Sequence, residues 1–181
     1  TAWSAIDGPL RPHAFDTTQL DVASATPFTA PCLLSNPQCK ISSWICPHSM
    51  SHLFRHADGD LLLFVHRGQG ELFCDFGHLS FRDGDYVLIP RNTMWRLEIT
   101  KSFQFIVIEA TQGAYQFPEK GLLGEQAIFD SEVLASPQID DVFKAQWSDE
   151  ETQVHIQCRN QITVMTYPFN PLDAKGWKGT L

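Results

Sequence analysis

The stretch that decides the fold is Asp58–Asn92, which reads DGDLLLFVHRGQGELFCDFGHLSFRDGDYVLIPRN. Short runs of apolar, aromatic and β-branched residues alternate in it with glycine-rich turns, at intervals of roughly ten residues. Glycine accepts the positive φ that such tight turns need. Short strands at this spacing are typical of a β-sandwich or barrel, so the sequence predicts an all-β fold.

The same pattern continues on both sides of this stretch, and we predict eight strands in all. They are Lys40–Cys46, Asp60–His66, Glu71–Phe76, Asp85–Pro90, Met94–Thr100, Phe103–Ala110, Thr152–Cys158 and Gln161–Tyr167. A single short helix is predicted over Gly124–Leu134, as an insertion between strands. One domain over residues 38–167 therefore accounts for all the predicted strands.

The two ends of the chain lack a regular pattern. Residues 1–37 contain several prolines and no sustained period, which predicts an extended arm. Residues 168–181 contain Pro171, Gly176 and Gly179 and are predicted to be a linker. Since the chain begins with Thr1 and its last residues close no strand, we expect it to be part of a longer protein.

Composition narrows the possible partners and the compartment. The 181 residues carry a net charge of -8 and include no run of Lys and Arg, so we expect neither a nucleic acid nor a membrane partner. The longest apolar run, Leu61–Val65, is far too short to cross a bilayer. Five cysteines without a C-x-x-C pair favour free thiols and a cytoplasmic location.

Two glycine-based motifs frame the centre of the chain. Gly84 is followed after five residues by Pro90, and Gly68-Gln69-Gly70 closes a predicted hairpin. This frame resembles the two motifs of the cupin superfamily, and the resemblance implies a cupin-type jelly-roll β-sandwich. In cupins the first motif offers two His and one Glu to a metal ion, and the second offers a third His.

The four ligand positions implied by this resemblance are largely occupied by apolar residues. They fall on Phe54, His56, Leu61 and Trp95, or on Asp60 in place of Leu61 if the register slips by one residue. At most two ligand types remain, whereas a tightly bound cation needs at least three protein ligands. We therefore predict no catalytic, cofactor-binding or metal-binding residue in this chain.

Two other candidate sites have simpler explanations. His48, His52 and His56 are spaced four residues apart, as on one face of a helix, but Pro47 and the Asp58-Gly59 turn favour extended chain. Extended chain would separate neighbouring histidines by roughly 13 Å, too far to share an ion. Trp44 and Trp95 could line a ligand pocket, although aromatic residues inside such a fold are more often core. Acidic residues at the turns are predicted to be solvated rim charges: Glu71, Asp83 and Asp85.

Several short motifs, in order and spacing, resemble the N-terminal region of the homogentisate dioxygenases. They are Pro9-Leu10-Arg11-Pro12, Ser49-Met50, Asp58-Gly59-Asp60, Gly68-Gln69-Gly70, Phe76-Gly77, Asp83-Gly84-Asp85, Ile89-Pro90-Arg91, Phe117-Pro118, Leu123-Gly124 and Pro168-Phe169-Asn170. Each motif is weak alone, but together they cover most of the chain. The stretch Asp141–Gln157 departs from the family's pattern.

This resemblance implies a function for the whole protein. It would cleave the ring of homogentisate with Fe(II) and O2 to give maleylacetoacetate, a step in tyrosine and phenylalanine catabolism. Two His and one carboxylate would hold the iron in a C-terminal half that follows this chain. The chain itself would be the structural N-terminal half, inactive alone, packed against the C-terminal half and against identical subunits of a trimer or hexamer.

Two alternatives remain open from the sequence. The chain could be a stand-alone, metal-free cupin that binds a small carboxylate or sugar among His56, Trp95 and Arg96. It could also be a metal-free isomerase with a His as base, although no Tyr or carboxylate partner stands out. Motifs for nucleophilic catalysis and for nucleotide binding are absent from the sequence.

Overall fold

The computed structural model describes residues 23–116 and 131–173, together with Ala5, residues 7–9, Asp16 and Leu20. Almost all regular structure in these residues is β-strand. The strands are β1 Cys32–Ser35, β2 Cys39–Cys46, β3 Leu53–His56, β4 Asp60–Arg67, β5 Gly70–Cys74, β6 Gly77–Phe81, β7 Tyr86–Ile89, β8 Met94–Ile99, β9 Phe103–Ala110, β10 Thr152–Cys158 and β11 Gln161–Tyr167.

Helical segments are few and short in the part of the chain that the structure describes. The α-helix α1 spans Asp141–Ala145, and 3-10 turns occupy Pro27–Thr29, Ser131–Val133 and Pro171–Asp173. With five residues in α1, no helix in the described part of the chain could span a membrane. The all-β prediction is therefore confirmed.

The strands form two sheets that face each other. The first sheet has the order β1-β2-β9-β4-β7, and the second has the order β11-β10-β3-β8-β5-β6. Neighbouring strands are antiparallel except for β10 and β3, which are parallel. Strand β9 illustrates why the sheets pack, since Phe103, Phe105 and Val107 alternate with less buried residues and point into the interior.

Two hydrophobic clusters stabilise this arrangement. The main core lies between the sheets, where its largest fully buried side chains are Trp44, Trp95, Phe54, Phe103 and Phe105. A second cluster covers the outer face of the second sheet beneath α1. It contains Leu53, Phe73, Met94, Phe143, Val154 and Leu172.

Each of the eight predicted strands corresponds to an observed strand within a few residues, and the sequence missed three others. Strand β1 lies inside the predicted arm and pairs with β2 through a bulge, so the first sheet begins before residue 38. Strand β3 has only four residues, and the neighbouring polar histidines leave no alternating apolar pattern to recognise. Strand β6 begins at Gly77, a glycine of Asp58–Asn92 whose type alone favours a turn.

Two further predictions meet the structure only in part. Of the predicted helix Gly124–Leu134, residues 124–130 lie outside the described residues, and Ser131–Val133 forms a 3-10 turn. The predicted linker starts at residue 168, but Leu172 is only 2% exposed in the second cluster. The described start of that stretch therefore packs as part of the domain.

Candidate functional site

The inner face of the sandwich at the cupin ligand positions is the site that the sequence singles out. Phe54 on β3 pairs directly with Trp95 on β8, and both side chains are 0% exposed. Their rings meet edge to face with centroids 5.7 Å apart, and Leu61 on β4 is also buried. Three of the four positions are thus filled by close-packed apolar groups, which donate no lone pair to a cation.

Two tryptophans meet in this interior but differ in their hydrogen bonding. The Trp44 and Trp95 rings lie 6.2 Å apart in an edge-to-face arrangement. The Trp44 Nε1–H donates to the backbone oxygen of Ser24 at 2.9 Å. The Trp95 Nε1–H is buried and has no hydrogen-bond acceptor among the described residues. Both rings behave as core, and one of them carries an unsatisfied donor.

His56 is the ligand-type side chain that occupies one of the four positions. Its Nδ1 accepts a hydrogen bond from the Gly59 backbone N–H at 3.0 Å, which places the ring proton on Nε2 in the neutral imidazole. Nε2 lies 3.3 Å from Oε1 of Glu109, and both side chains are buried. One ring nitrogen is therefore already engaged, and the other faces the Glu109 carboxylate without a hydrogen bond to any described residue.

Asp60, the alternative carboxylate ligand, is committed to the backbone. Its Oδ1 accepts from the Arg91 N–H and its Oδ2 accepts from the Tyr115 N–H, both at 2.9 Å. The Arg91 Nε adds an ion pair at 3.6 Å. Because each oxygen accepts a hydrogen bond from a different loop, Asp60 fixes the start of β4 against two loops.

The three histidines of the rival metal site do not converge. His56 lies on strand β3, so the chain is extended there as predicted, and His48 is exposed. The His52 ring instead stacks on His155 with centroids 3.8 Å apart. Burial, together with the neighbouring His155, lowers the pKa of His52 to about 4. Within residues 23–116 and 131–173, no group of three or more His, Cys, Asp or Glu is placed to hold a metal ion.

The carboxylate or sugar site of the stand-alone alternative does not assemble either. Successive residues of a strand point to opposite faces, so Trp95 points inward and Arg96 points outward. The Arg96 guanidinium lies 4.5 Å above the Phe73 ring and pairs with Glu98 at 2.5 Å. Arg96 is therefore separated from His56 by the sheet itself, which corrects the proposed constellation.

Two of the three predicted rim carboxylates hold turns, while the third contacts a histidine in a partly exposed cluster. Asp83 accepts from the Gly68 N–H, and Asp85 accepts from the Arg82 N–H at 2.9 Å. Glu71, in contrast, lies 2.7 Å from Nε2 of His78.

The cluster around His78 was not predicted. The other ring nitrogen, Nδ1, lies 3.1 Å from Asp140, which also caps α1 by accepting from the Phe143 N–H at 2.8 Å. The hydrogen bond to Phe143, aided by His78, lowers the pKa of Asp140. Since Glu71 and Asp140 are far apart in the sequence, no local pattern could have joined them.

The inward position of Glu109 could have been predicted, because this residue continues the inward alternation of β9.

The chain matches a family model over residues 12–181, and that model is described as the N-terminal part of homogentisate 1,2-dioxygenase. Two relatives are homogentisate 1,2-dioxygenases. The one from Bradyrhizobium diazoefficiens is 27% identical over 70% of this chain and 28% of its own length. The one from Legionella pneumophila is 28% identical over 81% of this chain and 35% of its own length. The chain thus spans about a third of these relatives.

Solved structures with a similar fold include a cupin domain from Schizosaccharomyces pombe. It is 12% identical, with a TM-score of 0.42 over 50% of this chain and 74% of that one. A cupin-2 protein from Shewanella frigidimarina is 13% identical, with a TM-score of 0.41 over 45% of this chain and 79% of that one.

Proposed function

The chain belongs to the family of homogentisate 1,2-dioxygenase N-terminal domains, and we propose that it is the structural half of an enzyme that cleaves the ring of homogentisate. The whole enzyme would use Fe(II) and O2 to convert homogentisate to maleylacetoacetate, a step in tyrosine and phenylalanine catabolism. The chain by itself, a cupin-type jelly-roll sandwich, would have no turnover.

The observation that carries this proposal is the content of the sandwich interior. A cupin that performs metal chemistry needs ligands at the positions held here by Phe54, Leu61 and Trp95, which are buried and packed on other apolar groups. The described residues at these positions do not fit an Fe(II) site, since only His56 and Asp60 are of a ligand type and both already bond to the protein backbone. This supports the proposal that another part of the protein would hold the iron and the reacting atoms.

The proposed partners follow from this division of labour. The relatives are about three times as long as the stretch they share with this chain, and a C-terminal half in that extra length would hold the iron and the aromatic substrate. The N-terminal half described here would pack against the C-terminal half and against identical subunits of a trimer or hexamer in the cytoplasm. Nucleic acid and membranes have no place in the proposal, given the net charge of -8.

The test compares the 181-residue chain with the protein encoded by the complete natural gene. Intact mass establishes whether each sample is larger than 20.4 kDa, and oxygen uptake with homogentisate and Fe(II) measures turnover. We expect turnover from the natural protein and none from the chain alone. Turnover by the 20.4 kDa chain, or an inactive iron-loaded natural protein, would contradict the proposal.

A pair of variants in the complete protein separates a structural role from a metal role. His56→Ala should lower stability because a buried hydrogen-bond partner is lost, but it should leave the iron bound per folded molecule unchanged. Trp95→Phe should likewise keep turnover per bound iron. Loss of iron in the folded His56→Ala protein, measured by metal analysis, would place a ligand in this half.

A further inference from the structure

A cleft opens on the outer face of the second sheet, beside the 3-10 turn Pro171–Asp173. Its volume is about 510 Å³, a size typical of small-molecule sites. Arg55 on β3 pairs with Met94 on β8. Each neighbours a core residue on its strand, so both side chains point outward, where they line this space. We call it the Arg55 cleft, and its walls include Arg55, Asp75, Phe76, Met94 and Leu172.

The guanidinium of Arg55 lacks a good hydrogen-bond acceptor. Its Nε is buried and has no partner among the described residues. The polar contact that it does make runs from Nη2 to the Met94 Sδ at 3.9 Å, and a thioether is a weak acceptor. A buried guanidinium nitrogen without an acceptor lowers folding stability, so the cleft favours an occupant that brings an oxygen acceptor.

Two other arginines show how this chain satisfies the same group elsewhere. Arg91, at the rim of the cleft, lies 3.6 Å from Asp60. Arg96, on the same face of the sheet as Met94's opposite neighbours, pairs with Glu98 at 2.5 Å. Arg55 differs from both, because no carboxylate of the described residues forms an ion pair with it.

Asp75 supplies the second polar group of the cleft. Its Oδ2 accepts from the Met94 N–H at 2.7 Å, whereas its Oδ1 has no partner among the described residues. Burial raises the pKa of Asp75, while the hydrogen bond to Met94 and the charge of Arg55 lower it in part. The cleft therefore holds a cation and a carboxylate oxygen that act on each other through space without pairing directly.

We propose that the Arg55 cleft binds a small organic carboxylate that carries a hydrogen-bond donor beside the carboxylate and has an apolar body. The carboxylate accepts from Arg55, whose planar fork matches two oxygens at once. The donor, a hydroxyl or ammonium group, faces Oδ1 of Asp75. The apolar body lies on Phe76 and Leu172, which form the hydrophobic part of the walls.

Asp75 determines which anions the cleft accepts. Sulfate and phosphate offer no donor to its carboxylate and carry more negative charge than a monocarboxylate, so they are repelled. A carboxylate with a neighbouring donor satisfies both polar groups, and its analogue without the donor leaves one of them unpaired. A carboxylate side chain from another part of the protein has related chemistry, and the experiments below separate that source from a free ligand.

NMR titration of the intact, nitrogen-labelled chain with phenyllactate tests the site. Phenyllactate carries a carboxylate, a neighbouring hydroxyl and a phenyl ring, and hydrocinnamate is the matched probe without the hydroxyl. We expect a saturable shift of the Arg55 Nε–H signal, with phenyllactate bound at least about threefold more tightly than hydrocinnamate or sulfate. Absence of a saturable shift, or equal binding of sulfate, would overturn the proposal.

Variants test the two polar groups, with the Phe76 amide as the reporter. Arg55→Met keeps the side-chain length, removes the charge and should weaken phenyllactate binding at least about tenfold. The matched control Arg67→Met, at an exposed position outside the cleft, should change it about twofold or less. Asp75→Asn should strengthen sulfate binding at least about threefold. Phenyllactate binding that Arg55→Met leaves unchanged would place the probe elsewhere, and far-UV circular dichroism checks that each variant is folded.

The complete natural protein distinguishes a free ligand from a side chain of the same polypeptide. Calorimetric titration with phenyllactate should show a site that Arg55→Met weakens at least about tenfold there too. If that Arg55-dependent site exists in the 181-residue chain but not in the natural protein, a carboxylate of the same polypeptide fills the cleft and a free ligand is refuted. This binding requires neither iron nor turnover, so the result does not depend on the dioxygenase function.

Discussion

Replacing Trp44 and Trp95 separately by phenylalanine makes the same chemical change at two fully buried positions. We nevertheless expect the two variants to lose different amounts of folding stability. Both side chains are 0% exposed and lie in one core, so the lost ring volume should destabilise each variant by roughly 1 to 2 kcal/mol. The difference between the two variants therefore reports on the indole N–H groups.

The two N–H groups act in opposite directions. Trp44→Phe removes a donor to the Ser24 oxygen at 2.9 Å and leaves that oxygen without this partner. This loss should destabilise the variant by a further amount of about 1 to 3 kcal/mol. Trp95→Phe removes a buried donor that has no described acceptor, which should raise the free energy of unfolding by about 1 to 3 kcal/mol and offset the lost ring volume. Trp95→Phe should thus be nearly neutral, with Trp44→Phe at least about 2 kcal/mol less stable.

Urea denaturation followed by far-UV circular dichroism measures both free energies of unfolding without relying on tryptophan fluorescence. Equal destabilisation of the two variants would refute the reasoning. It would mean that the Trp95 N–H has an acceptor in solution, and that the interior holds a polar group next to the cupin ligand positions.

Two other predictions concern stability. Gly77 has φ +129, and an added Cβ would lie 2.5 Å from the Gln138 oxygen, so Gly77→Ala should lower the free energy of unfolding by about 2 to 3 kcal/mol. Gly84 has φ +88 but open space around it, so Gly84→Ala should lower it by about 1 kcal/mol. Equal losses in urea denaturation would contradict the close approach at Gln138. The pKa of His52 is about 4 in the folded protein, against the ordinary histidine value of 6.5, so the unfolded state takes up the proton first and stability should fall by up to about 3 kcal/mol as pH drops from 6.5 to 4. His52→Gln should flatten that slope while replacement of the exposed His48 should not; an unchanged slope in His52→Gln would assign the acid sensitivity elsewhere.

Much of the fold follows from local patterns in the sequence. The alternation in Phe103–Ala110 and the glycine turns of Asp58–Asn92 give strand positions that the structure confirms, because side-chain period and turn chemistry are local properties. Short or interrupted strands escaped the same logic. Strand β3 has four residues, too few for a period to be recognised, and only its pairing with β8 and β10 stabilises it as a strand.

The sequence by itself determined that the cupin ligand positions are largely apolar, because residue types at fixed spacing from Gly68 and Gly84 are visible without any coordinates. Tertiary structure alone decided what the remaining polar groups do. His56 meets Glu109 and Asp60 meets the backbone of Tyr115 because packing of the sheets brings distant segments together. Sequence spacing does not encode such contacts, since partners dozens of residues apart are chosen by the register and topology of the sheets.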